Sequence, residues 1–224
     1  GRRNACQKRE NRIVWLSVNS SFSHSSAALP LLHRACQQRG IDLDWCEIAC
    51  PVDGDNGAAW VRIAQCRPRF LAASCYLFNV EAILRVCRRA KALDPGLTVI
   101  LGGPEFLGPH TDLLAAESAV DVVVRGEGEN AFPELLRRLL DGESPEGIAG
   151  VSCRRGARPP YVSPPGEKSA ELPWEELPDA TESCFFRWDG PFVQMETSRG
   201  CGGTCGYCTS GGTSLRTAPL AEVR

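Results

Sequence analysis

Between residues 13 and 140, short β-branched or apolar runs alternate with longer amphipathic segments, and no other feature constrains the fold as strongly. A parallel strand needs a long crossover to return the chain to the same end of a sheet, so this alternation predicts a parallel sheet covered by helices. Strands are expected at Ile13–Val18, Leu43–Ile48, Phe70–Leu77, Thr98–Leu101 and Val120–Arg125, and helices at Ser26–Arg39, Ala58–Cys66, Val80–Leu93, Thr111–Glu117 and Ala131–Leu140. Within Val80–Leu93, the residues Ile83, Leu84, Val86, Cys87, Ala90 and Leu93 recur every three to four positions, as one apolar helix face requires. Five βα units predict a doubly wound α/β domain of the Rossmann or flavodoxin-like kind. Ligands of such sheets bind beyond the carboxyl ends of the strands.

From Asp141 to Pro191 the composition changes. Pro145, Pro159, Pro160, Pro164, Pro165, Pro173, Pro178 and Pro191 leave no room for a long helix or a central strand. The chain is therefore divided into an α/β domain over residues 1–141, a connector over 142–191 and a further segment over 192–224. Within the connector, Gly150–Cys153 and Pro160–Ser163 can pair as a small hairpin, and Leu172–Leu177 reads as a turn packed by Trp174. Beyond it, Phe192–Thr197 reads as a buried strand and Leu215–Arg224 as the start of a helix.

Composition excludes several classes of function. With 43% hydrophobic and 23% charged residues the chain is an ordinary globular one, and 25 basic against 27 acidic residues give a net charge of −2. Such a charge creates no field for nucleic acid or anionic membrane. The arginines, Arg88, Arg89, Arg137 and Arg138 among them, sit on expected helices beside balancing acids, so no nucleic-acid partner is expected. No apolar run approaches the ~18–20 residues of a membrane span. The basic start Arg2–Arg12 is followed by too short an apolar stretch for a signal peptide, so a cytoplasmic location is expected. Nine of the twelve cysteines are scattered singly, as Cys36, Cys75 and Cys87 are, which is the usage of small buried hydrophobes in a reducing compartment.

The other three cysteines fall within eight residues, Cys201-Gly-Gly-Thr-Cys205-Gly-Tyr-Cys208, on a glycine-rich loop directly after an expected strand. Clustered soft thiolates suit an iron–sulfur centre or zinc. Structural zinc takes four protein ligands, and no second cysteine pair lies nearby. Three thiolates on a four-iron cluster leave one iron open, which a cluster that binds and reduces a substrate requires. A partial zinc site and three unligated thiols are the alternatives.

At these residues the sequence resembles the radical S-adenosylmethionine superfamily, whose signature is Cys-x3-Cys-x2-Cys with an aromatic residue, here Tyr207, before the last cysteine. The flanking Glu196-Thr-Ser-Arg-Gly-Cys201 is similar to the branch that carries a cobalamin-binding domain, and the earlier loops extend the likeness. These loops are Asn19-Ser-Ser-Phe-Ser-His24, Ser74-Cys-Tyr-Leu-Phe-Asn79, Leu101-Gly-Gly-Pro-Glu105 and Arg125-Gly-Glu-Gly-Glu129, each at the end of an expected strand. The resemblance implies that Cys201, Cys205 and Cys208 ligate a 4Fe-4S cluster whose open iron takes S-adenosylmethionine, with Tyr207 near the adenine. It implies that cobalamin lies against Asn19, His24, Ser74, Gly102, Gly103 and Gly126, and that residues 192–224 begin a radical-enzyme βα barrel.

Glycines suit a broad, flat macrocycle because they admit a close backbone approach, although each is equally explained by a turn with positive φ. Asn19, Ser25 and Ser26 are equally explained as caps of the first helix. Gly126-Glu-Gly128-Glu-Asn-Ala131 also fits a loose dinucleotide fingerprint, but it follows the wrong strand and turns two carboxylates toward a pyrophosphate. The residues two before His24, His33 and His110 are Phe22, Leu31 and Gly108, so none completes the Asp-x-His-x-x-Gly motif. Cobalt is then bound without a protein nitrogen beneath it, or cobalamin binding has been lost.

The resemblance implies an enzyme that cleaves S-adenosylmethionine to a 5′-deoxyadenosyl radical, for methyl transfer or for radical rearrangement or cyclisation. The expected partners are a small-molecule substrate and a reductant such as flavodoxin or ferredoxin. Residues 192–224 fall far short of the ~200 or more residues of a full barrel, so the chain is expected to be a fragment without turnover of its own. A stand-alone corrinoid-binding module and a zinc-stabilised α/β binding protein are the competing readings.

Overall fold

The computed structural model describes residues 11–20, 27–54, 56–106, 111–164, 176–190, 192–208 and 213–219. Five parallel strands form the centre: β1 (Arg12–Asn19), β2 (Asp44–Pro51), β3 (Phe70–Ser74), β4 (Thr98–Gly102) and β5 (Val122–Val124). They are joined by helices α1 (Ala28–Gln38), α2 (Gly57–Cys66), α3 (Val80–Leu93) and α4 (Thr111–Ala116), and α5 (Gly128–Leu140) follows β5. The strand order is β2-β1-β3-β4-β5, extended by β6 (Val151–Arg155) and β7 (Arg158–Val162). Both of these pair antiparallel.

The expected doubly wound sheet is therefore present, and the hairpin read from Gly150–Cys153 and Pro160–Ser163 is part of the same sheet. Pro159 and Pro160 are tolerated because β7 is its last strand and needs no ladder donors on its outer side.

The period of two along each strand sends side chains into two cores. Val14, Leu16, Val18, Leu71, Ala73, Val99, Leu101 and Val123 meet Ile63, Ile83, Val86 and Cys87 of α2 and α3. Ile13, Trp15, Phe70, Ala72, Ile100, Val122 and Val124 meet Leu29, Leu32, Phe132, Leu135 and Leu136 of α1 and α5. Cys36, Cys75 and Cys87 are buried as expected, and burial pushes the Cys36 and Cys87 thiols up to about 12. Cys184 is exposed, so not every scattered cysteine is a core residue. No described helix is long and apolar enough to cross a membrane.

Several elements differ from the expectation. β3 stops at Ser74 rather than Leu77, because the Tyr76 N–H donates to Asn79 Oδ1 at 2.8 Å and turns the chain. β5 begins at Val122 rather than Val120; just before it the Asp121 carboxylate accepts from the Val99 N–H at 2.8 Å and pairs with Lys91 at 2.6 Å. Phe192–Thr197 is not a buried strand. These residues are exposed and irregular, and the strand there is β8 (Ser198–Cys201). Nor does a helix start at Leu215, because β9 (Thr213–Thr217) pairs antiparallel with β8. Residues 172–175 of the expected turn at Leu172–Leu177, Trp174 among them, and His24 with its neighbours Ser25 and Ser26 lie outside the described residues.

Candidate functional site

In this strand order the chain winds one way from β1 to β2 and the other way from β3 onward, and a crevice opens at such a switch point beyond the carboxyl ends. A cavity of about 1300 Å³ occupies it, lined by Trp15 of β1, Ala72–Ser74 of β3, Ile100–Gly102 of β4, Val124 of β5 and Phe132 of α5. It exceeds the ~300–1,000 Å³ that suits drug-sized ligands, and thus suits a broad cofactor. Its floor is made of small residues, so the sheet edge lies open to a flat ligand. Trp15 is 2% exposed, and its Nε1 is buried without a hydrogen-bond partner. An orphaned donor in a cavity wall is the kind of group a ligand acceptor completes.

Two glycines of this wall have distinct reasons. Gly103 has φ +101°, and a Cβ there would lie 2.6 Å from the Cys75 carbonyl oxygen, so packing against the β3 end already requires glycine. Gly126 has φ +79° with open space above it, which leaves room for a ligand. Buried Asn79 holds the loop after β3 by donating from Nδ2 to the Val18 carbonyl at 3.0 Å. That loop presents Tyr76 to the cavity, stacked on the half-exposed Phe78 with ring centroids 5.5 Å apart.

The far wall comes from the connector. Leu177–Thr181 and Phe185–Trp188 line the cavity, and this strap is fastened to α1. Buried His33 Nδ1 lies 2.9 Å from Ser183 Oγ, the His33 ring meets Phe185 edge to face at 5.0 Å, and Arg34 pairs with Glu182. Burial first, and the neighbouring Arg34 charge second, lower the pKa of His33 below its ordinary 6.5.

A charged cluster closes the cavity on the side of β5. Arg199 of β8 and Glu129 of α5, their side chains each 9% exposed, form an ion pair, and Arg199 also reaches Glu196 at 2.7 Å and Glu127 at 3.4 Å. Arg216 of β9 pairs with Glu127 as well. Burial alone would raise the Glu127 carboxyl, but the hydrogen bond from Arg216 and the charges of Arg199 and Arg216 outweigh it and hold it below the usual carboxylate range. Both carboxylates sit in the turn that begins α5, where the helix N-terminus also favours negative charge.

Beyond Arg199, the cysteine loop projects into solvent, with Cys201, Cys205 and Cys208 exposed and Tyr207 93% exposed. The Gly203 N–H donates to Cys201 Sγ at 3.4 Å, and a Cβ at Gly203 would lie 3.4 Å from Cys201 Sγ and 3.9 Å from Cys205 Sγ. Two of the thiols thus share one glycine cradle of the kind that lets a cluster approach backbone. Among the described residues, no three such side chains are gathered closely enough to hold a metal ion.

The structure brings Ser74, Gly102, Gly103 and Gly126 together around the cavity, whereas Asn19, at the end of β1, is not among the residues lining it. Sequence reasoning missed Trp15, the connector strap and the pairing of Glu127 and Glu129 with Arg199. The last could have been found from two motifs of opposite charge, Glu127-Gly-Glu129 and Arg199 beside Cys201.

Comparison with known proteins places this geometry. Residues 14–136, more than half of the chain, match the B12 binding domain family. The chain belongs to that family. The B12-binding domain runs from β1 into α5, so the strand-end wall of the cavity and its glycines fall inside the matched stretch, whereas the wall from Leu177 to Arg199 lies beyond it.

The chain is 35% identical over 167 residues to the 2-(S-pantetheinyl)-carbapenam-3-carboxylate methyltransferase of Streptantibioticus cattleyicolor, covering 70% of this chain and 24% of that protein. It is 32% identical over 158 residues to the cobalamin-dependent radical SAM methyltransferase TokK of Streptomyces tokunonensis, covering 67% and 23%. Among solved structures it is similar to the radical S-adenosylmethionine methyltransferase TsrM of Kitasatospora setae with cobalamin and a [4Fe-4S] cluster bound, with TM-score 0.64 and 19% identity, covering 95% of this chain and 44% of that one. The chain spans about a quarter of the length of the curated relatives it matches.

Proposed function

We propose that this B12-binding chain supplies the corrinoid cavity and the cysteine loop of a cobalamin-dependent radical S-adenosylmethionine methyltransferase. The observation that carries this reading is adjacency: Arg199, two residues before Cys201, lines the same cavity that the B12-binding domain opens at its strand ends. The methyltransferase relatives favour methyl transfer over rearrangement or cyclisation.

In this reading Ser74, Gly102, Gly103 and Gly126 present backbone and a hydroxyl to the corrinoid, Trp15 offers it a donor, and Asn19 and His24 remain candidate contacts. Cys201, Cys205 and Cys208 hold a 4Fe-4S cluster, and Tyr207 lies beside the adenine of S-adenosylmethionine. When bound, these groups supply a 5′-deoxyadenosyl radical and a methyl donor, chemistry that no side chain here can perform. The protein's share is to hold the two centres toward one substrate atom while the strap keeps water from the corrinoid. The substrate is a small molecule, and the electron comes from a flavodoxin or ferredoxin.

The exposed, ungathered thiols favour one competing reading, a corrinoid-binding module without cluster chemistry. Anaerobic reconstitution with iron, sulfide and hydroxocobalamin separates the two. Four irons and one cobalt per chain, with iron alone lost from a Cys201/Cys205/Cys208→Ala variant, support the radical-enzyme reading. Cobalt without iron leaves the binding module, and the absence of both overturns the cofactor assignment.

A further inference from the structure

The turn that begins α5 and the hairpin that carries Cys201 are separated by about seventy residues of sequence, yet they are joined by charge. Arg199 supplies one guanidinium to three carboxylates, Glu129, Glu196 and Glu127, and Arg216 supplies a second to Glu127. Arg199 and Glu129 are withdrawn from solvent, which separates this cluster from the surface ion pairs that contribute little. Burying several charges is costly unless each is paired, and their pairing fixes geometry more strictly than apolar contact does.

The join reaches the cysteines along β8, whose pairing with β9 shifts register between Arg199 and Cys201. Arg199 and Arg216 are directly opposite in the β8–β9 ladder, and Cys201 is opposite Thr213. Between them Gly200, at φ +87°, lies so close to the Ser214 backbone that no side chain fits there. At the other end, Gly126 through Glu129 line the cavity.

We propose that Arg199 is a positioning residue: bound to Glu127 and Glu129, it fixes the strand bearing Cys201 against the turn that closes the ligand cavity. It thereby sets the separation between the cysteine loop and the corrinoid. The consequence for the cofactors rests on the function proposed above, whereas the clamp itself is testable in the cofactor-free chain.

The first test is amide hydrogen exchange on the 224-residue chain, wild type against Arg199→Gln. Exchange is expected to rise at least tenfold at both ends of the clamp, in Ser214–Arg216 and in Gly126–Glu129. Loosening of the hairpin with an unchanged 126–129 turn, or no loosening at either end, overturns the proposal.

Should Arg199→Gln misfold, Glu129→Gln and Glu196→Gln decide. The former removes a partner across the join and must loosen both ends. The latter removes a partner on the hairpin side and must leave 126–129 unchanged, and any other pattern overturns the clamp.

A role confined to stability is separated by pulsed electron–electron dipolar spectroscopy between the reduced cluster and cob(II)alamin. Arg199→Gln should at least double the width of the distance distribution at unchanged iron and cobalt content, and an unchanged width overturns the positioning role. Failure of the wild type to take up iron or cobalt overturns the proposed function instead, and the exchange experiment still decides the clamp.

Discussion

A methyl group added at Gly103 would meet the Cys75 carbonyl oxygen at 2.6 Å on a backbone that L-residues rarely adopt, so Gly103→Ala is expected to cost about 2–4 kcal/mol. Gly126→Ala meets no atom and should cost about 1–2 kcal/mol, from its positive φ alone. Urea unfolding of the two variants separates them. Trp15→Phe keeps most of the packing and deletes an orphaned donor, so stability of the free chain should hold within about 1.5 kcal/mol. Hydroxocobalamin affinity should fall about tenfold, an effect of about 1.4 kcal/mol in binding, and titration by absorbance checks it.

His33 gives a pH dependence with a definite sign. Its folded pKa is lowered below 6.5, so the folded chain resists a proton that the unfolded chain accepts. The neutral-state contribution is complete above pH 6.5 and is lost as pH falls from 6.5 through the lower folded value. Thermal melts between pH 7.5 and 5 should show a drop that His33→Leu flattens. The small and glycine residues of the cavity wall were legible in the sequence because they fall at strand ends. His33 was not, since only the fold brings residue 183 to it.

At the scale of elements, α5 contains its own break. Pro133 has no N–H to donate to the Glu129 carbonyl four residues earlier, and Arg39 Nη1 of the segment after α1 takes that place at 2.5 Å. Arg39→Ala should therefore cost about 1–3 kcal/mol, the penalty for an unpaired, partly buried carbonyl. Pro133→Ala restores the helical donor. In its background the Arg39→Ala cost should shrink by at least half, and a double-mutant cycle by denaturant unfolding measures this coupling.

The period of hydrophobic residues sufficed to find the five parallel strands and their helices. It failed after residue 190, because Phe192, Val193 and Met195 are apolar yet exposed, and an apolar run carries no information about what will cover it. β9 escaped for a related reason. Its partner β8 holds Arg199, Gly200 and Cys201, which have none of the β-branched character that marks a strand.

For the whole molecule, a corrinoid that binds the folded chain alone must raise its unfolding temperature by mass action. At a hundredfold excess over Kd the gain is about 2.7 kcal/mol, and the melting temperature should rise by about 5–10 °C. A shift with hydroxocobalamin that is absent with the same concentration of a linear tetrapyrrole identifies the macrocycle.

The two-faced core and the parallel βα sheet were readable from alternation alone, because local pattern dictates them, whereas the order of the strands came only with the fold. The site was readable only in part, since a cavity wall assembled from residues 15, 74, 126, 185 and 199 is a property of the fold. The strap bears a consequence for traffic. Leu177–Thr181 and Phe185–Trp188 wall the cavity opposite the strand ends and are tied to α1 through His33, Arg34 and Phe185, while Arg199 closes the side of β5. A ligand seated beneath this wall should leave only as the wall loosens: release of cobalamin, followed by absorbance, should be indifferent to competing corrinoid and accelerated by Ser183→Ala, which removes the contact with His33.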